Sequence, residues 1–327
     1  MPMEYGSLKG ISKPLSRLVQ GTIPLSADDP DTGYALLDGV YEAGGRAFDT
    51  AHSYGNGSNE RMLGTWIKSR GVREDVVVLG KCAHPEGDKP KRVTPEDITS
   101  DLHESLERQQ TDYIDLWVLH RDDEDVPVGP IIESLTEHQR SGKISAFGAS
   151  NWSTARIQEA NQYAADHDLE PFALSSPNFS LAVQIQPPWA GCVSISGPDA
   201  ASERAWYVEN TIPIFPWSSL AGGFFSNRFS RENLDTFDSY LDKLAVSTYC
   251  SEDNFKRLDR TRELAARYDA SVPRMAMAYV QNQPLDIYAL VGCQKASEFA
   301  DNVEGLSLKL SQAEVDWLDL TSDEQPW

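Results

Sequence analysis

Four side chains that could perform acid–base chemistry follow predicted strands in order along the chain. Asp49 ends the run AFD, Tyr54 lies in the loop beyond it, Lys81 ends the run LGK, and His120 follows the run WVL. In a barrel of parallel strands the carboxyl ends meet at one rim, so these side chains would converge there. Four polar groups directed into one mouth are costly to bury without partners, and a shared functional site explains their placement.

The four residue types could work as one proton-transfer set. A free tyrosine has a pKa of about 10, and an ammonium held beside its oxygen lowers that pKa. Lys81 would supply the charge, and Asp49 would keep Lys81 protonated and oriented. His120 would hydrogen-bond a substrate oxygen or relay a proton. Each residue alone has a structural alternative, such as a turn cap for Asp49 or a snorkelling surface position for Lys81.

Short β-branched runs alternate with amphipathic helical segments and would position these residues. The predicted strands are Arg17–Gln20, Ala47–Asp49, Val76–Leu79, Tyr113–Leu119, Ile144–Phe147, Phe172–Leu174, Ile212–Phe215 and Ile287–Val291. Thr94 and Pro95 predict the start of a helix, and Ser311 with Glu314 predicts a capping box. Helix ends are expected at Gly44, Gly71 and Gly142, and a helix start at Ser153.

Eight strand–helix units in one chain of 327 residues predict an α/β fold, a (β/α)8 TIM barrel forming a single domain over residues 1–327. An open doubly wound sheet is the alternative, but it would require a GxGxxG between the first strand and helix, which this sequence lacks. Residues 180–202 and 221–251 are long for barrel connections, so we expect long functional loops at the C-terminal face.

The composition argues against several classes of partner. The 29 Lys and Arg residues against 50 Asp and Glu residues give a net charge of −21, which disfavours nucleic acid and a membrane surface. The first residues lack an apolar core and no window is long and apolar enough to span a bilayer, so we expect a cytoplasmic protein. Scattered cysteines and the absence of HxH or HExxH spacing predict no disulfide framework and no metal site. The sequence leaves the oligomeric state open.

Five sequence blocks resemble, in order and spacing, the signature blocks of the aldo-keto reductase family. They read DTAHSYGNGSNERMLG, LGK, LHRDD, FGASNW and PWSSLAGG, and the resemblance covers nearly the whole chain. It implies an oxidoreductase that interconverts a carbonyl and an alcohol with NAD(P)(H). It also implies a catalytic tetrad of Asp49, Tyr54, Lys81 and His120, in which Tyr54 is the general acid in reduction and the general base in oxidation.

The same resemblance implies a cofactor site. Ser150 and Asn151 should hold the nicotinamide carboxamide, and Trp217 should stack on the ring. Ser176 departs from the family pattern, which usually has glutamine there. Residues 220–223 should wrap the pyrophosphate. The full expected set is Thr22, Ser150, Asn151, Ser176, Trp217, Ser218, Leu220, Gly222, Gly223, Gly292, Gln294, Lys295, Glu298 and Asn302.

The segment after the eighth strand bears on the choice of cofactor. Most members of the family that the sequence resembles use NADP(H), and its 2′-phosphate usually binds a cluster of cationic side chains in this segment. Here the segment has one cation, Lys295, and a carboxylate, Glu298. At about 4 Å and an effective dielectric of about 20, a unit-charge contact amounts to about 4 kcal/mol, so the two nearly cancel. We therefore expect NADP(H) to be slightly favoured and NAD(H) to be possible.

Four residues near strand exits are the expected substrate contacts: His84, Trp152, Trp189 and Phe224. Aromatic side chains can stack on the C–H faces of sugars, so we expect a small-molecule carbonyl compound, sugar-like or polyol-like, with a flat aromatic or aliphatic aldehyde as the alternative. A catalytically idle nicotinamide-binding regulatory subunit is the alternative function. The intact tetrad disfavours it, because a binding role does not need the proton donor.

Overall fold

The computed structural model describes residues 2–86 and 91–327. It begins with an antiparallel hairpin of β1 (Tyr5–Leu8) and β2 (Ile11–Ser16), which the sequence pattern did not predict. Leu8 and Leu15 are buried against the first residues of several barrel strands. The hairpin therefore covers the amino-terminal end of the barrel, opposite the predicted site.

Seven parallel strands follow in the spatial order β8-β7-β6-β5-β4-β3-β9. Their bounds are β3 (Leu18–Gly21), β4 (Ala47–Asp49), β5 (Val77–Cys82), β6 (Ile114–Leu119), β7 (Ile144–Ser150), β8 (Leu174–Ser176) and β9 (Ala289–Val291). Side chains alternate between the interior and the surrounding helices. Val77 and Leu79 point into the barrel core, whereas Val78 packs in the outer core with the helices.

Ile214 closes the gap between β8 and β9. It pairs in parallel with Ser175 on one side and with Ile287 on the other. The strand predicted over 212–215 is therefore present as a single paired position, flanked by Pro213 and Pro216, which have no N–H to donate to a ladder. With this link the sheet is a (β/α)8 barrel, as predicted.

Helices surround the barrel, and most begin at a side-chain cap. Their bounds are α1 (Pro30–Glu42), α2 (Ser58–Arg70), α3 (Pro95–Gln109), α4 (Val128–Arg140), α5 (Thr154–Asp166), α6 (Ala201–Glu209), α7 (Tyr240–Tyr249), α8 (Glu252–Arg267), α9 (Val272–Gln281), α10 (Ala296–Gly305) and α11 (Gln312–Leu318). The Thr94 hydroxyl accepts from the Asp97 N–H at 3.2 Å, and Ser311 with Glu314 forms a capping box. Both predicted helix starts are confirmed. In the described part of the chain, no helix has the length and hydropathy needed to cross a bilayer.

The two long segments at the carboxyl-terminal rim pack against each other. The Ile185 N–H donates to the Thr248 carbonyl at 2.8 Å, and the Trp189 indole N–H donates to the Tyr240 hydroxyl at 2.9 Å. The second segment is not wholly a loop, because it contains α7. Its buried residues Ala245, Thr248 and Tyr249 are spaced i, i+3 and i+4, a helical spacing that the loop assignment overlooked.

Candidate active site

The structure brings the four predicted catalytic side chains together at the carboxyl-terminal rim. The Lys81 ammonium is bonded to Asp49, which ends β4, and donates to the Tyr54 hydroxyl oxygen at 3.4 Å. The rings of Tyr54 and His120 meet edge to face, with 5.7 Å between their centroids. A proton on Tyr54 therefore lies beside a buried cation and a neighbouring imidazole.

Tyr54 reaches this position because the chain after β4 continues the sheet hydrogen bonding. The His52 N–H donates to the Lys81 carbonyl at 2.9 Å. The Arg108 guanidinium holds the His52 carbonyl at 2.9 Å and is itself fixed by the fully buried Glu60 at 3.1 Å. Sequence reasoning missed Arg108 and Glu60. Both lie on helices, α3 and α2, and their pairing depends on how those helices pack.

Burial controls the protonation of the tyrosine more strongly than the neighbouring cation does. The sequence led us to expect that Lys81 would bring the pKa of Tyr54 below its usual value. Instead burial raises the pKa of Tyr54, and the charge of Lys81 opposes this only in part. That expectation was wrong, because the hydroxyl lies where a phenolate would lose its solvation. Tyr54 therefore keeps its proton at neutral pH.

Two of the three other titratable members of the set, Lys81 and His120, have clear charge states. Burial would lower the pKa of Lys81, but the charges of Asp49 and Tyr54 outweigh it and raise that pKa. Burial, followed by the charge of Lys81, lowers the pKa of His120 far below its usual value. Lys81 is therefore a cation and His120 a neutral ring at pH 7.

A second histidine lies against the tetrad. The ring of His84, just beyond β5, meets the ring of His120 with 4.7 Å between centroids. Its Nδ1 lies 2.7 Å from the Pro85 carbonyl, an acceptor, so Nδ1 carries the proton of the neutral ring. The predicted substrate residue His84 thus lies beside the predicted catalytic residues.

Two tryptophans form an aromatic wall near the rim. The Trp189 and Trp217 rings lie 6.5 Å apart between centroids, and Trp189 is 39% exposed. The Trp217 indole N–H donates to the Asn151 side-chain oxygen at 3.1 Å, which fixes the ring. We refer to Trp189 and Trp217 together as the tryptophan pair.

The two other aromatic residues expected to touch substrate do not reach the rim. Trp152 is 1% exposed, lies edge-on to Phe172 and donates to the Arg121 carbonyl at 3.1 Å. Phe224 is 0% exposed and packs against Phe255 and other phenylalanines. Both predictions are corrected, because these rings turn into the core rather than toward the barrel mouth.

Comparison with known proteins identifies the family. Residues 17–322 match the sequence profile described as "Aldo/keto reductase family". The chain belongs to the aldo-keto reductase family. It is 25% identical over 303 residues to a probable aryl-alcohol dehydrogenase of Saccharomyces cerevisiae, covering 88% of this chain and 87% of that protein.

Further relatives agree with this assignment. The chain is 25% identical over 302 residues to norsolorinic acid reductase B of Dothistroma septosporum, covering 88% of this chain and 71% of that protein. The solved structure of a glycerol dehydrogenase from Gluconobacter oxydans superposes with a TM-score of 0.79 at 20% identity, covering 100% of this chain and 99% of that one. At that identity the superposition shows the fold.

Aldo-keto reductases use nicotinamide dinucleotides, and the residues at the β3–β9 side of the rim fit such a group. The side-chain oxygens of Thr22 and Asn302 are buried and have no hydrogen-bond partner among the described residues. Gly222 and Gly223 are left-handed, with φ of 61° and 90°, and a Cβ built on Gly292 would meet its nearest atom only at 4.0 Å. The polar atoms without a partner could hydrogen-bond a ligand, and the glycines leave room for its phosphate groups to approach the backbone. These features fit a dinucleotide.

The residues expected at the carboxamide are already hydrogen-bonded to one another. The Asn151 side chain accepts from the Val193 N–H and the Trp217 indole, and donates to the His120 carbonyl and the Ser150 hydroxyl, all at 3.1–3.2 Å. The Ser150 hydroxyl donates onward to the Ser176 carbonyl, and the Ser176 hydroxyl to the Phe215 carbonyl. Asn151 therefore positions Trp217, and any bond to a ligand amide would exchange for one of these.

The segment expected to face the cofactor ribose is organised by Glu298. Its carboxylate accepts from the backbone N–H groups of Gln294 at 2.8 Å and Lys295 at 3.3 Å, at the start of α10. A phosphate bound at this helix start would compete with that carboxylate for the same donors. Ser218 and Leu220 lie on the neighbouring segment, whose Ser219 N–H donates to the β9 carbonyl of Leu290. Among the described residues no group of three or more His, Cys, Asp or Glu side chains could hold a metal ion.

Proposed function

We propose that this aldo-keto reductase interconverts a carbonyl and an alcohol with NAD(P)(H), with Tyr54 as the proton donor in reduction. The observation that carries the proposal is the contact of the Lys81 ammonium with both Asp49 and the Tyr54 hydroxyl. The cofactor supplies the hydride in reduction and accepts it in oxidation.

Each residue has a defined part in the proton transfer. Tyr54, protonated at neutral pH, donates its proton to the carbonyl oxygen of the substrate. Lys81 stabilises the phenolate that this leaves, and Asp49 keeps the ammonium charged and oriented. His120, neutral at pH 7, hydrogen-bonds the substrate oxygen without adding a second positive charge.

We propose that both NADP(H) and NAD(H) are accepted, with slight preference for NADP(H). Most aldo-keto reductases use NADP(H), and the Lys295 ammonium could bind its 2′-phosphate. Glu298 acts against it, because its carboxylate already bonds the backbone donors that a 2′-phosphate would use. The two effects leave weak discrimination.

An aromatic carbonyl compound is the substrate class that the site favours. The expectation of a sugar-like substrate depended on three aromatic rings, two of which, Trp152 and Phe224, are buried in the core. The tryptophan pair remains, and stacked or edge contacts with such rings suit a flat aromatic substrate. The names of the aryl-alcohol dehydrogenase and norsolorinic acid reductase relatives agree with this choice.

The test is reduction of benzaldehyde-type substrates, followed by the absorbance of NADPH and NADH, in wild type and Tyr54→Phe. Loss of the positioned acid should lower turnover about 10²–10⁴-fold while cofactor binding, read by tryptophan fluorescence, persists. Tyr163→Phe is the matched control, because that hydroxyl bonds Glu133 on the surface. Wild-type turnover in Tyr54→Phe would contradict the assignment. Cofactor binding without turnover by the wild type on any carbonyl would favour the regulatory-subunit alternative.

A further inference from the structure

One buried cation beside the tetrad has no part in the proposed proton transfer. Arg121 follows His120 directly and is 8% exposed. Among residues 2–86 and 91–327, the side chain makes one hydrogen bond, from Nη1 to the His120 carbonyl at 2.8 Å, and pairs with no carboxylate. Of the similarly buried arginines, Arg92 pairs with Asp101 at 2.6 Å and Arg156 with Glu159 at 2.9 Å. Arg257, which has no ion pair among the described residues, still donates to two partners, the Asn254 side-chain oxygen and the Asp319 carbonyl, both at 3.1 Å.

The Arg121 side chain lies between the predicted reacting groups and the loop that carries Trp189. Its Cδ is 3.6 Å from the point where a Cβ on Gly191 would lie. That glycine belongs to a turn in which the Cys192 N–H donates to the Trp189 carbonyl at 3.3 Å. On the other side, burial lowers the pKa of His84, and the charge of Arg121 acts in the same direction. The cation is therefore within electrostatic reach of both walls of the barrel mouth.

Most N–H donors of the Arg121 guanidinium have no acceptor among the described residues. The guanidinium has five N–H donors in a planar fork that matches a carboxylate or phosphate, and the residues that the structure describes use one of them. Burying a cation without a counter-charge is unfavourable, and a chain with 50 acidic residues has many carboxylates that could have paired with it. The Trp152 indole bonds the backbone of Arg121, not its side chain, so anchoring that ring does not require the charge.

The surface charge gives such a cation a clear use. A net charge of −21 repels anionic substrates over distance, so an anion must be attracted locally if it is to enter the mouth. We propose that Arg121 binds an anionic substituent, a carboxylate or a phosphate, on an aryl carbonyl substrate whose ring lies against the tryptophan pair. This inference rests on the proposed function and names the substrate class of that same site.

The experiment compares three benzaldehydes that share one ring: 4-formylbenzoate, its neutral methyl ester, and 4-formylphenyl phosphate. In the wild type we expect kcat/KM to be higher for an anionic substrate than for the ester. Hydrogen bonds to charged groups contribute about 1.5–3 kcal/mol, so Arg121→Gln should lower this ratio about 10–100-fold, and Arg121→Lys should restore part of it. Whichever anionic substrate has the larger kcat/KM relative to the ester shows whether the site prefers a carboxylate or a phosphate. Arg140→Gln, an exposed arginine bonded to the Asp168 carbonyl, removes the same charge far from the mouth and should leave the ratio unchanged.

Several outcomes would overturn the inference. An Arg121→Gln ratio equal to that of the wild type, an equal loss on the ester and the anions, or a fall in cofactor affinity would each assign the guanidinium to another role. Reduction of the ester by the wild type supports the proposed function whatever happens to the ratio. If the wild type reduces none of the three, the proposed reduction of aryl carbonyl compounds fails, and binding of terephthalate, read by tryptophan fluorescence, then tests the anion site alone. Binding that is lost in Arg121→Gln supports the site, and binding that is unchanged overturns it.

Discussion

The Lys81 ammonium donates to the Tyr54 hydroxyl oxygen at 3.4 Å, in a position where burial dominates the tyrosine's titration. The cation does not make the tyrosine acidic in the resting protein. It lowers the free energy of the phenolate that would form when the proton leaves. The transition state for proton transfer would therefore be stabilised more than the resting protein.

Replacing Lys81 by methionine should abolish carbonyl reduction, with a loss of about 10²–10⁴-fold in kcat/KM, because the phenolate would lose its adjacent cation. Lys68→Met, which removes an exposed ammonium bonded to Gln110, is the matched control. The Lys81→Met variant leaves the Asp49 carboxylate buried without its partner, which lowers the free energy of unfolding by about 3–5 kcal/mol. The double variant Asp49→Asn/Lys81→Met avoids that penalty. Near-normal turnover in either folded protein would contradict the role of Lys81.

The pH dependence of the reaction should follow the raised pKa of Tyr54. A group whose pKa is raised keeps its proton to higher pH, so kcat/KM for reduction should stay level from about pH 6 to 9 and fall only above the usual tyrosine value of about 10. Oxidation needs the phenolate and should rise with pH over the same range. The low pKa of His120 predicts no acid limb from that residue above about pH 6. A reduction profile that falls between pH 7 and 9 would mean that the phenol is more acidic than its burial implies.

Glu298→Arg should shift cofactor preference toward NADPH, because it removes the carboxylate that occupies two backbone donors and adds a cation. We expect the ratio of kcat/KM for NADPH over NADH to rise up to about fivefold, since solvent screens a charged contact at this exposed position to about 0.2–1 kcal/mol. Loss of the cap should also reduce stability by about 0.5–2 kcal/mol.

Glu314→Arg provides the matched control for that prediction. Glu314 accepts from the Ser311 N–H at 2.7 Å in an equivalent cap at the start of α11. It should lose similar stability in thermal unfolding while its cofactor ratio stays at the wild-type value. A rise in the ratio in both variants would trace the effect to net charge, and no rise in Glu298→Arg would place the cofactor ribose elsewhere.

Much of the fold followed from the sequence because each signal was local. The Thr94 and Ser311 caps, the alternation of strand and helix, and the order of Asp49, Lys81 and His120 at strand ends all depend on residues close together in the chain. The β1–β2 hairpin escaped prediction because its strands are short and β2 alternates weakly, with Leu8 and Leu15 buried only by contact with the distant barrel.

The site was less predictable where a side chain's direction decides its role. Trp152 and Phe224 follow strands just as Trp217 does, yet core contacts turn the first two inward. The lack of a carboxylate partner for Arg121 among the described residues, and the raised pKa of Tyr54, depend on which atoms surround these side chains after folding. No spacing in the sequence carries that information.

Ile214 is the one residue through which the ends of the parallel sheet, β8 and the region of Ile287, are paired in the described chain. Elsewhere neighbouring strands share several consecutive pairs, but here one residue joins β8 to the strand region at Ile287, and proline stands on both sides. Backbone hydrogen bonds of 2.8–3.0 Å nevertheless hold both sides of this seam, from Ser175 and Phe215 toward β8 and from Ile214 and Tyr288 toward β9. The segment that begins at Trp217 leaves directly from this seam, so the position of Trp217 is tied to both ends of the parallel sheet, while the four predicted catalytic residues lie on β4, β5 and β6 or just beyond them.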